Sequence, residues 1–213
     1  MSSVIAVLAH VHIKVAGPWA SIAVASLALV FTIGSFWWLN ARQGRLKSFE
    51  PQSFAACRTP DILRLRFPLV FYNTGAKPIV VQDMRLSFPK ESRWKSLLPW
   101  TTTRSQLKPA SDDKHAFPAV FSLPGRTAQQ MFVEFGGVFP EITPLARDYR
   151  VQIEVKVGHR KKWKQFITFT FRGAHITDPD RYIAYSNSPH DLTEETIKKS
   201  EGALKRLIAR TGG

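Results

Sequence analysis

Residues 62–72 read ILRLRFPLVFY. Leu63, Leu65, Phe67, Leu69 and Phe71 hold the odd positions, and Arg64 and Arg66 stand between them. Successive side chains of an extended chain point to opposite faces, so this alternation predicts a strand with one buried and one wet face. Asn73-Thr74-Gly75, followed by Pro78, predicts the turn that ends it, since Asn and Gly tolerate positive φ and Asn can bond its own backbone.

The same period recurs on both sides. In 149–157, Tyr149, Val151, Ile153, Val155 and Val157 alternate with Arg150, Gln152, Glu154 and Lys156. Residues 163–171 repeat it through Trp163, Ile167, Phe169 and Phe171, and weaker versions occur at 79–88, 117–123 and 127–135. Pro124-Gly125-Arg126, Gly136-Gly137 and Gly158 mark turns between the runs. Residues 90–114, with Trp94, Trp100 and three consecutive threonines, read as a long connection carrying one strand. Short strands with one wet face and no helix between them favour antiparallel pairing. The expected fold class is mainly β: an antiparallel immunoglobulin-like β-sandwich, with an N-terminal transmembrane helix and a C-terminal amphipathic helix.

The transmembrane expectation rests on Pro18 to Leu39, PWASIAVASLALVFTIGSFWWL, inside a stretch with no ionisable residue between Lys14 and Arg42. At about 1.5 Å per residue a helix of this length covers about 33 Å, enough for a hydrocarbon core of about 30 Å. Trp19 at one end and Trp37 and Trp38 at the other fall where interfacial aromatic belts sit, and Arg42, Arg45 and Lys47 complete the anchoring set. The stretch is too long for a signal-peptide core and is followed by bulky residues. Only Lys14 flanks it on the N-terminal side, against Arg42, Arg45, Lys47 and Arg58 on the other. The positive-inside rule then puts the C-terminal part in the cytoplasm, the alternative being an extracytoplasmic domain. The expected organisation is a tail over 1–17, the helix over 18–39, a basic stem over 40–48, the β domain over 49–173, and a polar linker with a basic helix over 174–213.

The run from Leu65 to Gly75 followed by Pro78-Ile79-Val80-Val81, preceded by the tryptophan-ended span and basic stem, carries a resemblance. It is similar to uncharacterised bacterial proteins with one transmembrane helix followed by a sandwich domain. That resemblance implies an envelope-associated protein and carries over no active-site residue.

Chemistry-bearing constellations are sparse. The chain has no G-x-S-x-G elbow, phosphate-binding glycine loop, His-Glu-x-x-His or Cys-x-x-Cys. His10 and His12 share one face of an extended stretch without a third ligand nearby, and Cys57, the single cysteine, reads as a small buried thiol. Asp112-Asp113 and Asp178-x-Asp180 read as turn acids. No catalytic residue, metal ligand or cofactor is expected.

Charge is the remaining signal. Thirty Lys and Arg against sixteen Asp and Glu give a formal +14 over 213 residues, and Lys14 alone of the charged residues precedes position 40. Two clusters are candidate contacts for an anionic surface: Arg160, Lys161, Lys162 and Lys164 at an expected hairpin tip, and Lys198, Lys199, Lys205 and Arg206 on the C-terminal helix. The expected partners are membrane lipids and a protein partner. Nucleic acid is the weaker reading, because Trp163, the aromatic nearest the basic run, belongs to the inward set of its strand. The expected function is a non-enzymatic, single-span membrane protein presenting a basic β-sandwich. The alternative is an externally displayed assembly domain of an envelope complex.

Overall fold

The computed structural model describes residues 17–59, 62–89, 97–138, 146–159 and 161–211. The expected tail up to residue 16, with His10 and His12, lies outside the described residues, and so does Arg160. The chain divides into two units, 1–42 and 43–213.

In the first unit, Pro18 opens helix α1 (Pro18–Phe36), where its missing N–H leaves no bond unmade. The Ala20 N–H donates to the Gly17 carbonyl at 2.8 Å. The helix runs on through one π turn, Trp37–Ala41, closed by the Arg42 N–H on the Trp37 carbonyl at 3.0 Å. Pro18–Ala41 is thus one helix of 24 residues, long and apolar enough to cross a membrane. None of its residues is buried.

The second unit is mainly antiparallel β. Its strands are β1 (Leu46–Lys47), β2 (Ser53–Arg58), β3 (Ile62–Asn73), β4 (Ile79–Ser87), β5 (Leu97–Arg104), β6 (His115–Ala116), β7 (Phe121–Leu123), β8 (Ala128–Val138), β9 (Asp148–Val157), β10 (Lys164–Arg172) and β11 (Ile183–Ser186). They run in the order β10-β9-β4-β5-β8-β3-β2-β11, with β1 on β3, β6 on β5 and β7 on β4. Strand β5 makes the corner. Leu97–Pro99 pairs with β4, whereas Trp100 and Thr102–Arg104 pair with β8; the partner changes between Pro99 and Trp100, and a register shift between Trp100 and Thr102 follows at once. The sheet therefore curls into a half-barrel. Strands from its two ends face each other: Phe54 of β2 meets Phe171 of β10 at 4.7 Å between ring centroids, and Phe67 of β3 meets Phe169 at 5.3 Å.

All five odd-position residues of β3 are fully or almost fully buried, as are Val151, Ile153, Met84, Leu86, Phe135 and Phe169. Burying an aromatic or aliphatic side chain of this size stabilises by about 1.5–3 kcal/mol each, so the alternation that predicted the strands also supplies the core. Strands β2 and β11 arise where the chain carries no such period. β2 (SFAACR) is buried on both faces over Phe54–Ala56, so it lacks a wet face to alternate with. β11 lies in the stretch expected to be a polar linker and pairs with β2 from Ile183↔Ala56 to Ser186↔Ser53.

The C-terminal helix α2 (Glu194–Thr211) is capped by the Thr193 hydroxyl, which accepts from the Thr196 N–H at 3.2 Å. Its Ser200, Ala203 and Leu207 are buried. The Ser200 hydroxyl accepts from the Ala146 N–H at 3.0 Å, and Arg210 pairs with Asp180 at 2.7 Å.

Candidate functional site

The stem after the helix becomes part of the sheet. Leu46 pairs with Asn73 and Lys47 with Tyr72, and the Arg45 N–H donates to the Thr74 hydroxyl at 2.9 Å. This packing leaves no room for side chains. A Cβ on Gly75 would sit 2.0 Å from the Gly44 nitrogen, and one on Gly44 would sit 2.2 Å from Asn73 Oδ1. Asn73 fixes the junction. Its amide donates to the carbonyls of Lys77 (2.9 Å), Pro124 (3.1 Å) and Leu123 (3.3 Å), while its Oδ1 accepts from the Gly75 N–H at 3.0 Å. The turn chemistry expected of Asn73 is present in its bonds to Gly75 and Lys77, and its other two side-chain bonds reach a second loop at Leu123 and Pro124.

Between this junction and the β9–β10 hairpin opens a cleft of about 580 Å³, within the size range of about 300–1,000 Å³ typical of ligand sites. Its floor is apolar, with Leu46, Ile79, Val157 and Phe166. Phe166 stacks on Phe71 at 5.1 Å with an interplanar angle of 6°. Around this floor stand Arg45 from the stem, Lys77 from the β3–β4 turn, and His159 and Lys164 from the hairpin, with no carboxylate among the described residues of the lining.

A β-bulge aims Lys164. Lys164 pairs with inward-facing Val155 and Gln165 with outward-facing Glu154, but Ile167 pairs with Ile153, which leaves Phe166 as the extra residue. Two adjacent residues, Phe166 and Ile167, thereby face the core, and the parity of everything before them inverts. Trp163 consequently lies outside, which corrects the expectation that it faces inward. Its ring lies 4.2 Å from the Arg85 guanidinium and 4.5 Å from Lys156 Nζ.

The structure places the sequence-derived residues in four locations. Arg45 and Lys164 meet in the cleft, and Lys77, which no motif marked, joins them because the turn folds back on the stem. Lys161 and Lys162 are exposed on the hairpin, and Lys47 is exposed on β1. In the helical unit Trp19, Trp37 and Trp38 are exposed, and Arg42 lies 3.8 Å over the Trp38 ring. Lys198, Lys199 and Arg206 line a separate concavity with Asp178 and Glu195, where Lys199 pairs with Glu195 at 2.6 Å. The α2 cations are therefore not part of the cleft and share their surface with acids.

A second polar cluster escaped the sequence reading. Arg66 was expected to face water like Arg64, yet it is 1% exposed. Its guanidinium donates to Glu134 (3.1 and 3.3 Å), Asp113 (2.8 Å) and the carbonyls of Gln106 (2.8 Å) and Leu107 (3.2 Å). The Tyr182 hydroxyl donates to Glu134 at 2.6 Å. Burial, with the Glu134 charge beside it, pushes the Tyr182 hydroxyl well above the usual phenol range. Asp113 loses solvation too, but its bond from Ser105 and the charges of Arg66 and Arg104 outweigh that loss and hold its carboxyl below the ordinary range. The cluster straps the 105–114 loop and the segment before β11 onto the outer face of β3 and β8. Asp178 and Asp180 face Arg181 and Arg210. Among the described residues, no three His, Cys, Asp or Glu side chains converge on a common point that could hold a metal ion. Cys57 is half-buried, and desolvation raises its thiol pKa, which keeps it a poor nucleophile.

Compared with known proteins, the chain matches no protein-family model and no curated protein sequence.

Proposed function

We propose that the chain is a single-span, non-catalytic membrane protein whose basic β domain engages anionic lipid headgroups through the stem-side cleft and its flanking hairpin. One observation carries this reading. The cleft combines Arg45, Lys77, His159 and Lys164 with no carboxylate among its described lining residues, and its first lining residue, Gln43, follows the apolar helix after a single intervening residue. Basic side chains near an anionic leaflet contribute about 1 kcal/mol each, and the Arg42–Trp38 contact suits the interfacial end of a span. The cytoplasmic side, where the leaflet is anionic, follows from the excess of Arg and Lys after the helix.

The domain itself is read as an immunoglobulin-like sandwich. Strands β2, β3, β8 and the second half of β5 would form one layer, and β10, β9, β4 and the first half of β5 the other. The sheet order and the crossing of β5 support that division. The bacterial envelope assignment rests on resemblance alone.

The test uses the full chain in nanodiscs of phosphatidylcholine with or without phosphatidylglycerol, followed by amine-reactive footprinting. Lys77 and Lys164 are expected to lose reactivity when the anionic lipid is present and to regain it at high salt. Equal reactivity in both lipids at low salt rejects the headgroup reading. A reporter fused after Gly213 checks the side: activity only with an export-dependent reporter favours the external assembly domain instead.

A further inference from the structure

The cleft differs from a basic surface in a way that adsorption to a leaflet does not require. Its cations come from three separate pieces of chain (stem, β3–β4 turn and β9–β10 hairpin), and they converge on a concavity rather than a flat face. Its floor is built from Leu46, Ile79, Val157 and Phe166, so the charged rim encloses an apolar bed. The frame is fixed at both ends, by the Asn73 bonds and the Gly44–Gly75 apposition on one side and by the Phe166 bulge with its stack on Phe71 on the other. A site that only rested on headgroups would need neither the depth nor the apolar floor.

We infer that the cleft is a subsite for one molecule of anionic phospholipid, with the phosphate held among Arg45, Lys77 and Lys164 and the start of an acyl chain lying on Ile79, Val157 and Phe166. This deepens the membrane-surface reading and rests on it. The complementarity is twofold: cations without an acid for the phosphate, and apolar surface beside them for the chain. Free phosphate would leave that floor wet. Single-stranded nucleic acid would need a free aromatic face, but Phe166 is stacked on Phe71 and Trp163 lies outside under Arg85 and Lys156.

The experiment is native mass spectrometry of the full chain released from a neutral detergent containing phosphatidylglycerol or phosphatidylcholine. The expected result is one retained phosphatidylglycerol and no comparable phosphatidylcholine adduct. Lys164→Glu and Arg45→Glu should each reduce that adduct about tenfold, whereas Lys198→Glu and Lys205→Glu leave it unchanged. Val157→Trp, which fills the cleft without altering charge, should also abolish it, provided the variant melts like the parent. A ladder of several adducts that Val157→Trp does not diminish overturns the single-lipid site but leaves surface adsorption standing. Equal retention of both lipids overturns the subsite and the headgroup reading together. Displacement of the lipid by millimolar inorganic phosphate also overturns the subsite, in favour of a simple anion site.

Discussion

Replacing Arg66 with Met should expose how much of the fold depends on a charge buried on the outer face of the sheet. The side chain is 1% exposed and makes five hydrogen bonds, three of them to Glu134 and Asp113. Removing one partner from a buried ion pair costs about 3–5 kcal/mol, chiefly because the other charge stays behind. Here both carboxylates keep some support. Glu134 retains the Tyr182 hydroxyl at 2.6 Å and Arg104 at 3.6 Å, and Asp113 retains the Ser105 hydroxyl at 3.0 Å. The loss should therefore fall near the lower end, about 3 kcal/mol at pH 7. In a domain of this size each kcal/mol moves Tm by about 2–4 °C, so Tm should drop by about 6–12 °C. The pH dependence follows from Asp113. Because its folded-state carboxyl is held below the ordinary value, its contribution is fully present above about pH 4 and is lost as pH falls through the depressed value. Arg66→Met removes much of the cause, so the gap between variant and parent should narrow in acid. Tryptophan fluorescence melts of the full chain in neutral detergent measure both quantities. A variant within 1 kcal/mol of the parent at pH 7, or a gap that widens below pH 4, would refute the account.

Three further outcomes follow from the junction and the core. Asn73→Ala removes the side-chain bonds to the Gly75 N–H and to the Lys77, Leu123 and Pro124 carbonyls, of which Pro124 keeps the Thr127 hydroxyl at 2.9 Å; a loss of about 1–3 kcal/mol is expected in denaturant melts, and no change would mean that water replaces the amide. Gly75→Ala forces the stem away, since its Cβ would lie 2.0 Å from the Gly44 nitrogen; hydrogen exchange at Arg45 and Thr74 should accelerate, while unchanged protection would show that the two segments are not held together. His175 is buried, and desolvation, only partly offset by its bond to the Ser188 backbone, keeps its imidazole below the ordinary pKa. The unfolded chain then binds more protons, so stability should fall as pH drops below about 6.5, and His175→Leu should flatten that slope; a slope identical to the parent's contradicts it.

How far the sequence could be read depends on how local each feature is. Strands β3, β9 and β4 were legible because each has a buried and a wet face, which writes a period of two into the chain. β2 was not, since burial on both faces erases the alternation. The cleft was half legible. Arg45 and Lys164 stood in recognisable basic runs, but nothing in their neighbourhood marks Lys77 or Asn73 as their companions. Trp163 was misassigned because a bulge leaves no trace in composition: Phe166 and Ile167 look like ordinary strand residues until their pairing shows that one of them is extra.

The apolar helix, the strand-forming runs and the location of nearly all the charge after the helix were readable from the chain alone, because each depends on residues within a few positions of one another. Three outcomes came only from the fold: Arg66 is buried and paired across 68 residues with Glu134, β5 turns the corner between two partners, and the bulge at Phe166 puts Lys164 on the cleft side of its strand. Those outcomes depend on inter-strand register. A shift of one residue in register moves a side chain to the opposite face, and the partner that sets the register lies far away in the chain.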